Sequence, residues 1–188
     1  TTLDEPVLET LKRDLDQVVS KLKVVLLPLG DDSRDTVIQR LRDWDLWGPL
    51  LVCILLSTIL SITAPGETAS MVFAAVFVIV WFGAAAVTVN AQLLGGTISF
   101  FQSVCILGYC VFPLTLSAMG CLIMSFIYKN VSALCIIIKS ILVGVGFIWS
   151  TRASVVFMQQ VIKEERRLLA VFPVFFFYTF ISWMVLLQ

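Results

Sequence analysis

The stretch DWDLWGPLLVCILLSTILSITAPG, residues 43–66, changes from polar to apolar at its first proline. Two aspartates and two tryptophans precede a Gly-Pro pair, and no charged residue follows until after the next proline. A helix that crosses a bilayer needs about 20 mainly apolar residues. This stretch therefore predicts the start of a membrane domain, with a short first span at about 48–64.

The rest of the chain has the composition of a membrane protein. Of its 188 residues 59% are hydrophobic and 14% are charged, whereas a soluble domain has about 25% charged residues. The charges are segregated, because Glu67 is the one charged residue between Leu46 and Tyr128. We expect a polar N-terminal segment, 1–45, followed by a membrane domain, 46–188. The net charge is +0 and no basic tract indicates binding of nucleic acid.

Five apolar runs predict membrane-spanning helices, so the fold class is expected to be an all-α membrane protein with five transmembrane helices. Their approximate bounds are 48–64, 70–89, 98–127, 132–161 and 168–187. Backbone N–H and C=O groups must be satisfied within the segment in hydrocarbon, which favours helices. Pro113 has no N–H to donate, so we expect a kink or a packed neighbour at that point of the third span.

The distribution of Lys and Arg predicts a cytosolic N-terminus and a lumenal C-terminus. Cytosolic loops close to the membrane are enriched in these two residues. Six bases lie on the N-terminal side, against Lys129 on the other: Arg34, Arg40, Arg42, Lys163, Arg166 and Arg167. The sequence KNVS makes Asn130 a glycosylation sequon on the lumenal side, close to the membrane surface.

Residues 5–27 predict a cytosolic amphipathic helix ahead of the membrane domain. Acidic residues come early in it and lysines late, which complements the helix dipole. Its predicted apolar face consists of Leu8, Leu11, Leu15, Val18 and Leu22. The pattern leaves three arrangements of this helix open. It lies on the bilayer surface, packs against a protein, or forms a short coiled coil. The mixed charge of the outer face favours a protein contact.

Lys139 and Arg152 lie within the fourth predicted span. A Lys or Arg at the centre of a spanning helix costs about 2.5–3.5 kcal/mol, although a side chain near the helix end reaches water. The acids nearest to Arg152 by topology are Asp43 and Asp45. We expect Arg152 either to pair with one of them or to extend to the cytosolic surface.

The segment DWDLWGP has two interpretations. As membrane architecture, its tryptophans anchor at the interface and its proline is tolerated in the first helical turn. Its aspartates then stabilise the helix N-terminus by roughly 0.3–1 kcal/mol. As a recognition surface, the same residues contact a cytosolic partner. The residue pattern leaves both interpretations open.

DLWGP at residues 45–49 resembles the D-L-x-G-P signature of the Yip family, the Ypt/Rab-interacting multi-pass membrane proteins. Gly108-Tyr109, followed by Pro113, resembles that family's second hallmark, and TLDEPVLETLKRDL at residues 2–15 is similar to its member-six branch. The resemblance covers nearly the whole chain, although Trp47 stands where many members carry Tyr. It singles out these motif and partner-recognition candidates: Asp43, Asp45, Leu46, Trp47, Gly48, Pro49, Gly108 and Tyr109.

The resemblance implies a non-enzymatic scaffold or adaptor in vesicle trafficking and Golgi organisation. It implies a Golgi membrane location with cycling through the endoplasmic reticulum and vesicles. The implied partners are Rab-type small GTPases, other Yip family members and membrane lipids. The alternative is a lipid-interacting or transport protein that uses Lys139 and Arg152 within the membrane.

An enzyme is the least favoured class. The chain has no histidine, so the commonest general base and metal ligand is missing. Its five cysteines all lie inside apolar runs, where they behave as small hydrophobic residues. We therefore expect no catalytic, cofactor-binding or metal-binding residues.

Overall fold

The computed structural model describes residues 7–26, 46–96, 98–127, 133–161 and 167–187. Within these ranges the regular structure is entirely helical. The helices are α1 (Val7–Leu26), α2 (Trp47–Thr63), α3 (Ala69–Leu93), α4 (Phe100–Cys110), α5 (Phe112–Ile127), α6 (Ala133–Val161) and α7 (Arg167–Leu186). The predicted all-helical membrane fold is therefore confirmed at this level. The cytosolic position of the predicted helix 5–27, which α1 overlaps, stays a prediction.

Four helical segments of the described chain are long and apolar enough to cross a membrane. They are Ala69–Leu93, Phe100–Ile127, Leu134–Val156 and Leu168–Leu186, and they coincide with the second to fifth predicted spans. Helix α2 is apolar but has only 17 residues, which at 1.5 Å per residue is about 26 Å. A hydrocarbon core is about 30 Å thick, so the length of α2 alone does not establish a fifth span.

The third predicted span is interrupted where the sequence predicts a kink. Helix α4 ends at Cys110 and α5 begins at Phe112. At the junction the Val111 N–H donates to the carbonyl of Leu107 at 3.0 Å and to that of Gly108 at 3.2 Å. Pro113 then has no N–H to continue the ladder. The predicted interruption at Pro113 is confirmed as a break between two helices.

The turn between α3 and α4 is defined by local chemistry. Gly95 has a φ of 85°, a left-handed conformation that suits glycine at a helix C-terminus. Helix α4 then begins with a capping box. The Gln102 N–H donates to the Ser99 hydroxyl at 3.3 Å, and the Ser99 N–H donates to the Gln102 side chain at 3.1 Å. These caps fix where α4 enters the bundle.

Helix α4 is the central element of the bundle. All of its residues from Ser103 to Cys110 are buried. It contacts α1, α2, α3 and α6, while α6 packs between α5 and α7. Most of the remaining helix surface carries exposed apolar side chains, for example on α6 and α7. A buried central helix inside an apolar exterior is the arrangement expected for a bundle in lipid.

Candidate functional site

The two signature segments, distant in sequence, contact each other in the fold. Gly48, in the first turn of α2, faces the ring of Tyr109 near the end of α4. A Cβ atom added at Gly48 would lie 2.5 Å from Cε1 of Tyr109 and closer still to its hydroxyl oxygen. Because this is well inside a van der Waals contact, a residue other than glycine forces the ring to move.

Gly108 and Pro49 make the reverse contact, in which the glycine lies on α4 and the bulky residue lies on α2. A Cβ atom added at Gly108 of α4 would lie 2.6 Å from Cβ of Pro49 and 3.1 Å from its Cα. Each segment thus supplies one glycine and one bulky residue, and each glycine receives the bulky residue of the other. All four residues are buried, with Tyr109 only 1% exposed. We call Gly48, Pro49, Gly108 and Tyr109 the signature joint.

Helix α1 lies over the signature joint. The Nζ atom of Lys21 is 5.8 Å from the centroid of the Tyr109 ring, a distance at which a cation is attracted to the face of an aromatic ring. Lys21 is only 8% exposed. One turn later the carbonyl of Val25 accepts a hydrogen bond from the indole N–H of Trp149 on α6 at 3.2 Å. Helix α1 is therefore attached to both α4 and α6.

The buried face of α1 overlaps the predicted apolar face, which itself stays a prediction. Val18 is buried and Leu22 is half-buried, but Leu15 is 51% exposed. The side chains of Leu8 and Leu11 lie outside the described residues. Val18, Lys21 and Val25 instead define the buried stripe, at the three- and four-residue spacing of one helix face. Sequence reasoning missed Lys21 because a lysine is rarely buried without a specific partner.

The exposed part of the first signature segment adjoins the joint. Leu46 is exposed, and Trp47 is 62% exposed. Asp43 and Asp45, the two acidic candidates, lie outside the described residues. The predicted motif residues therefore separate into a buried group that joins helices and an exposed group at the start of α2.

A second polar contact supports α4 at Leu107, the residue directly before Gly108 of the joint. The hydroxyl of Tyr178 on α7 donates to the carbonyl of Leu107 at 3.3 Å and lies in hydrogen-bond contact with the hydroxyl of Ser154 on α6. All three residues are buried. Sequence reasoning missed this contact, although a tyrosine in an apolar run indicates a hydroxyl that needs a partner.

The two predicted intramembrane charges have different surroundings. Lys139 is half-buried, whereas Arg152 is exposed. The expected pairing of Arg152 with Asp43 or Asp45 falls on residues that the structure does not describe, as does the sequon at Asn130. Nothing in the described part of the chain forms an ion pair with Arg152.

Comparison with protein families matches the Yip1 domain to residues 31–185 of this chain. The chain belongs to the Yip1 domain family. "Protein YIPF6 homolog" of Dictyostelium discoideum is 50% identical over 187 residues, covering 100% of this chain and 96% of the relative. "Protein YIPF6" of Xenopus tropicalis is 45% identical, covering 99% and 77%. "Protein YIP4b" of Arabidopsis thaliana is 40% identical, covering 98% and 62%. No solved structure matches.

The sequence-based recognition of the Yip family and its member-six branch is thus confirmed. The chain is a multi-pass membrane protein of this family, with several apolar helices. In this Yip1 domain the Gly-Pro of D-L-x-G-P and the Gly-Tyr of the second hallmark form one packing unit. The geometry gives a physical reason for the two hallmarks to occur together, because a substitution in one half removes the space or the filling that the other requires.

Proposed function

We propose that this protein is a non-enzymatic scaffold or adaptor of the Golgi and the ER–Golgi membranes, acting in vesicle trafficking through Rab-type GTPases and other Yip proteins. Membership of the Yip1 domain family supports the class. The structural observation in its favour is the attachment of α1 to the signature joint. Such an attachment holds α1 against α4 and α6 of the membrane domain.

The proposal includes five spans, with the N-terminus cytosolic and the C-terminus lumenal. Helix α2, at about 26 Å, serves as a short first span, which a bilayer accommodates by local thinning at a modest cost. Its exposed tryptophan at residue 47 suits the interface at one end. An odd number of spans and the excess of Lys and Arg near the N-terminal side then set the orientation.

The outer surface of α1 is suited to a protein partner. Its exposed polar residues are mixed in charge, namely Glu9, Lys12, Arg13, Asp16, Gln17, Ser20 and Lys23. A helix that binds an anionic bilayer surface is typically rich in basic residues on its polar face. Charges of both signs on one surface instead favour specificity in protein recognition. We therefore place the partner-binding surface on the exposed side of α1 and at Leu46 and Trp47.

The non-enzymatic part of the proposal is supported by the residue inventory. The chain has no histidine. No group of three or more Cys, Asp or Glu residues that could hold a metal ion occurs among the described residues. A nucleophilic cysteine would need a nearby base to activate it, and the buried cysteines lie in apolar helices.

The test is a quantitative pull-down from mild detergent, read by mass spectrometry, comparing Trp47→Ala with Trp183→Ala. The two tryptophans are matched, being 62% and 60% exposed on helices that start and end the membrane domain. We expect Rab-type GTPases and other Yip proteins to be lost with Trp47→Ala and retained with Trp183→Ala. Equal retention in both variants, with normal membrane insertion, would contradict a recognition role for this end of α2.

A further inference from the structure

A small cleft lies at the end of the bundle opposite the signature joint. Helices α2, α5, α6 and α7 converge on it. Its polar lining consists of Thr63, Cys121, Ser125 and Lys139, and the remaining lining side chains are aliphatic. Gly48 is in the first turn of α2 and Thr63 is its last residue, so the joint and the cleft mark the two ends of the same helix.

Lys139 brings an unbalanced charge to this cleft. It lies five residues inside the apolar segment Leu134–Val156, a depth of about 7.5 Å at 1.5 Å per residue. Among the described residues that line the cleft, none carries a carboxylate. The hydroxyl protons are also used, since Thr63 donates to the Leu60 carbonyl at 3.0 Å and Ser125 to the Cys121 carbonyl at 3.0 Å.

We propose that this cleft binds the phosphate group of a phospholipid headgroup, with the Lys139 ammonium as its counter-charge. This inference goes beyond the proposed adaptor function. The phosphates of a bilayer lie at its interface, which an ammonium group within about 7.5 Å of the end of the span can reach. The free space of the cleft, about 10 Å³, accommodates one water-sized group. A single phosphate oxygen therefore enters the cleft and the remainder of the headgroup stays at its mouth.

Arg152 supplies a matched control for the generic attraction of a base to lipid. It lies four residues from the other end of the same apolar segment, so its depth is close to that of Lys139. It is exposed on the outer surface of α6, whereas Lys139 is half-buried in the cleft. If nonspecific attraction to lipid phosphates were the whole effect, the two side chains would contribute equally to lipid retention.

The experiment is native mass spectrometry of the full chain in detergent micelles, titrated with dioleoyl-phosphatidylglycerol, with dioleoylglycerol or with inorganic phosphate. We expect wild type to retain one phosphatidylglycerol, and Lys139→Gln to retain about tenfold less, the effect of losing one charge-assisted hydrogen bond. Lys139→Arg should retain the lipid, and Arg152→Gln should resemble wild type.

Three outcomes would overturn the proposal. The first is equal loss of phosphatidylglycerol in Lys139→Gln and Arg152→Gln. The second is equal retention of dioleoylglycerol, which has the same acyl chains but no phosphate. The third is displacement of the lipid by inorganic phosphate at similar concentration, which would identify a free anion as the ligand. The comparison of the two lipids needs only the wild-type protein, so it can overturn the proposal even if Lys139→Gln does not fold.

Discussion

Replacing Gly48 by alanine tests the geometry of the signature joint. The added Cβ would lie 2.5 Å from Cε1 of Tyr109 and still closer to the end of that ring. Because Tyr109 is only 1% exposed, the ring has no open space to move into. Overpacking of this kind costs about 1–3 kcal/mol. Alanine also raises helix propensity by up to about 1 kcal/mol relative to glycine, so the net effect must be compared with a control.

Gly144→Ala provides that control within α6. Gly144 also lies in an apolar helix, but a Cβ added there meets nothing within 4 Å. The difference between the two variants isolates the steric term at about 1–3 kcal/mol. For a chain of this size, each kcal/mol changes the melting temperature by roughly 2–4 °C. We expect Gly48→Ala to melt at a lower temperature than Gly144→Ala by at least that interval, measured in detergent by fluorescence-detected size exclusion after heating.

A double-mutant cycle identifies Tyr109 as the cause. In a Tyr109→Ala background the ring is absent, so Gly48→Ala should add little or no further destabilisation. The coupling between the two sites should then equal the steric term, about 1–3 kcal/mol. The packing argument would be refuted if Gly48→Ala lowered stability equally in the wild-type and Tyr109→Ala backgrounds. It would also be refuted if Gly48→Ala and Gly144→Ala had the same effect on the stability of the otherwise wild-type protein.

Two further stability predictions follow from contacts elsewhere in the bundle. Tyr178→Phe should lower the free energy of unfolding by about 0.6–1.5 kcal/mol, because it removes the hydroxyl that bonds the carbonyl of Leu107 and the hydroxyl of Ser154. An unchanged melting temperature would contradict these hydrogen bonds. Gly146→Ala should destabilise more than Gly144→Ala, by about 1–3 kcal/mol, because its Cβ would lie 3.1 Å from the Pro113 carbonyl oxygen on α5; equal melting temperatures would contradict this close helix contact.

The membrane helices could be predicted from the sequence because their signal is local. An apolar run of sufficient length excludes other backbone structures in lipid, and a proline inside it removes one ladder hydrogen bond wherever the helix packs. The interruption beside Pro113 was therefore predictable to within a few residues. The short length of α2 could also be predicted, because the length of an apolar run is a local property of the sequence.

The internal role of the signature could not be predicted, because it depends on a contact between distant segments. Composition places Gly48 at the start of a span and Tyr109 in another, but no local pattern says that they meet. The position of Lys21 shows the same limit. Spacing places it on the buried side of α1, yet only the ring of Tyr109 beneath it makes the burial of a lysine favourable.

The bundle leaves part of the predicted apolar face of α1 uncovered at Leu15, for a related reason. A heptad-like pattern gives the direction of the apolar stripe, but the docking partner decides which turns of the helix are covered. Helix α1 contacts α4 at Lys21 and α6 at Val25, whereas Leu15, in an earlier turn, remains exposed. The depth at which a helix docks is a tertiary property.

The most direct test of the account is hydrogen–deuterium exchange of α1 in the full chain, reconstituted in lipid nanodiscs. Attachment of α1 to the signature joint predicts slow exchange at Lys21–Leu26 in wild type and in Gly144→Ala, and faster exchange in Gly48→Ala. Exchange of α1 as fast as that of a free peptide in wild type, or equal exchange in all three proteins, would contradict the claim that the joint holds the N-terminal helix.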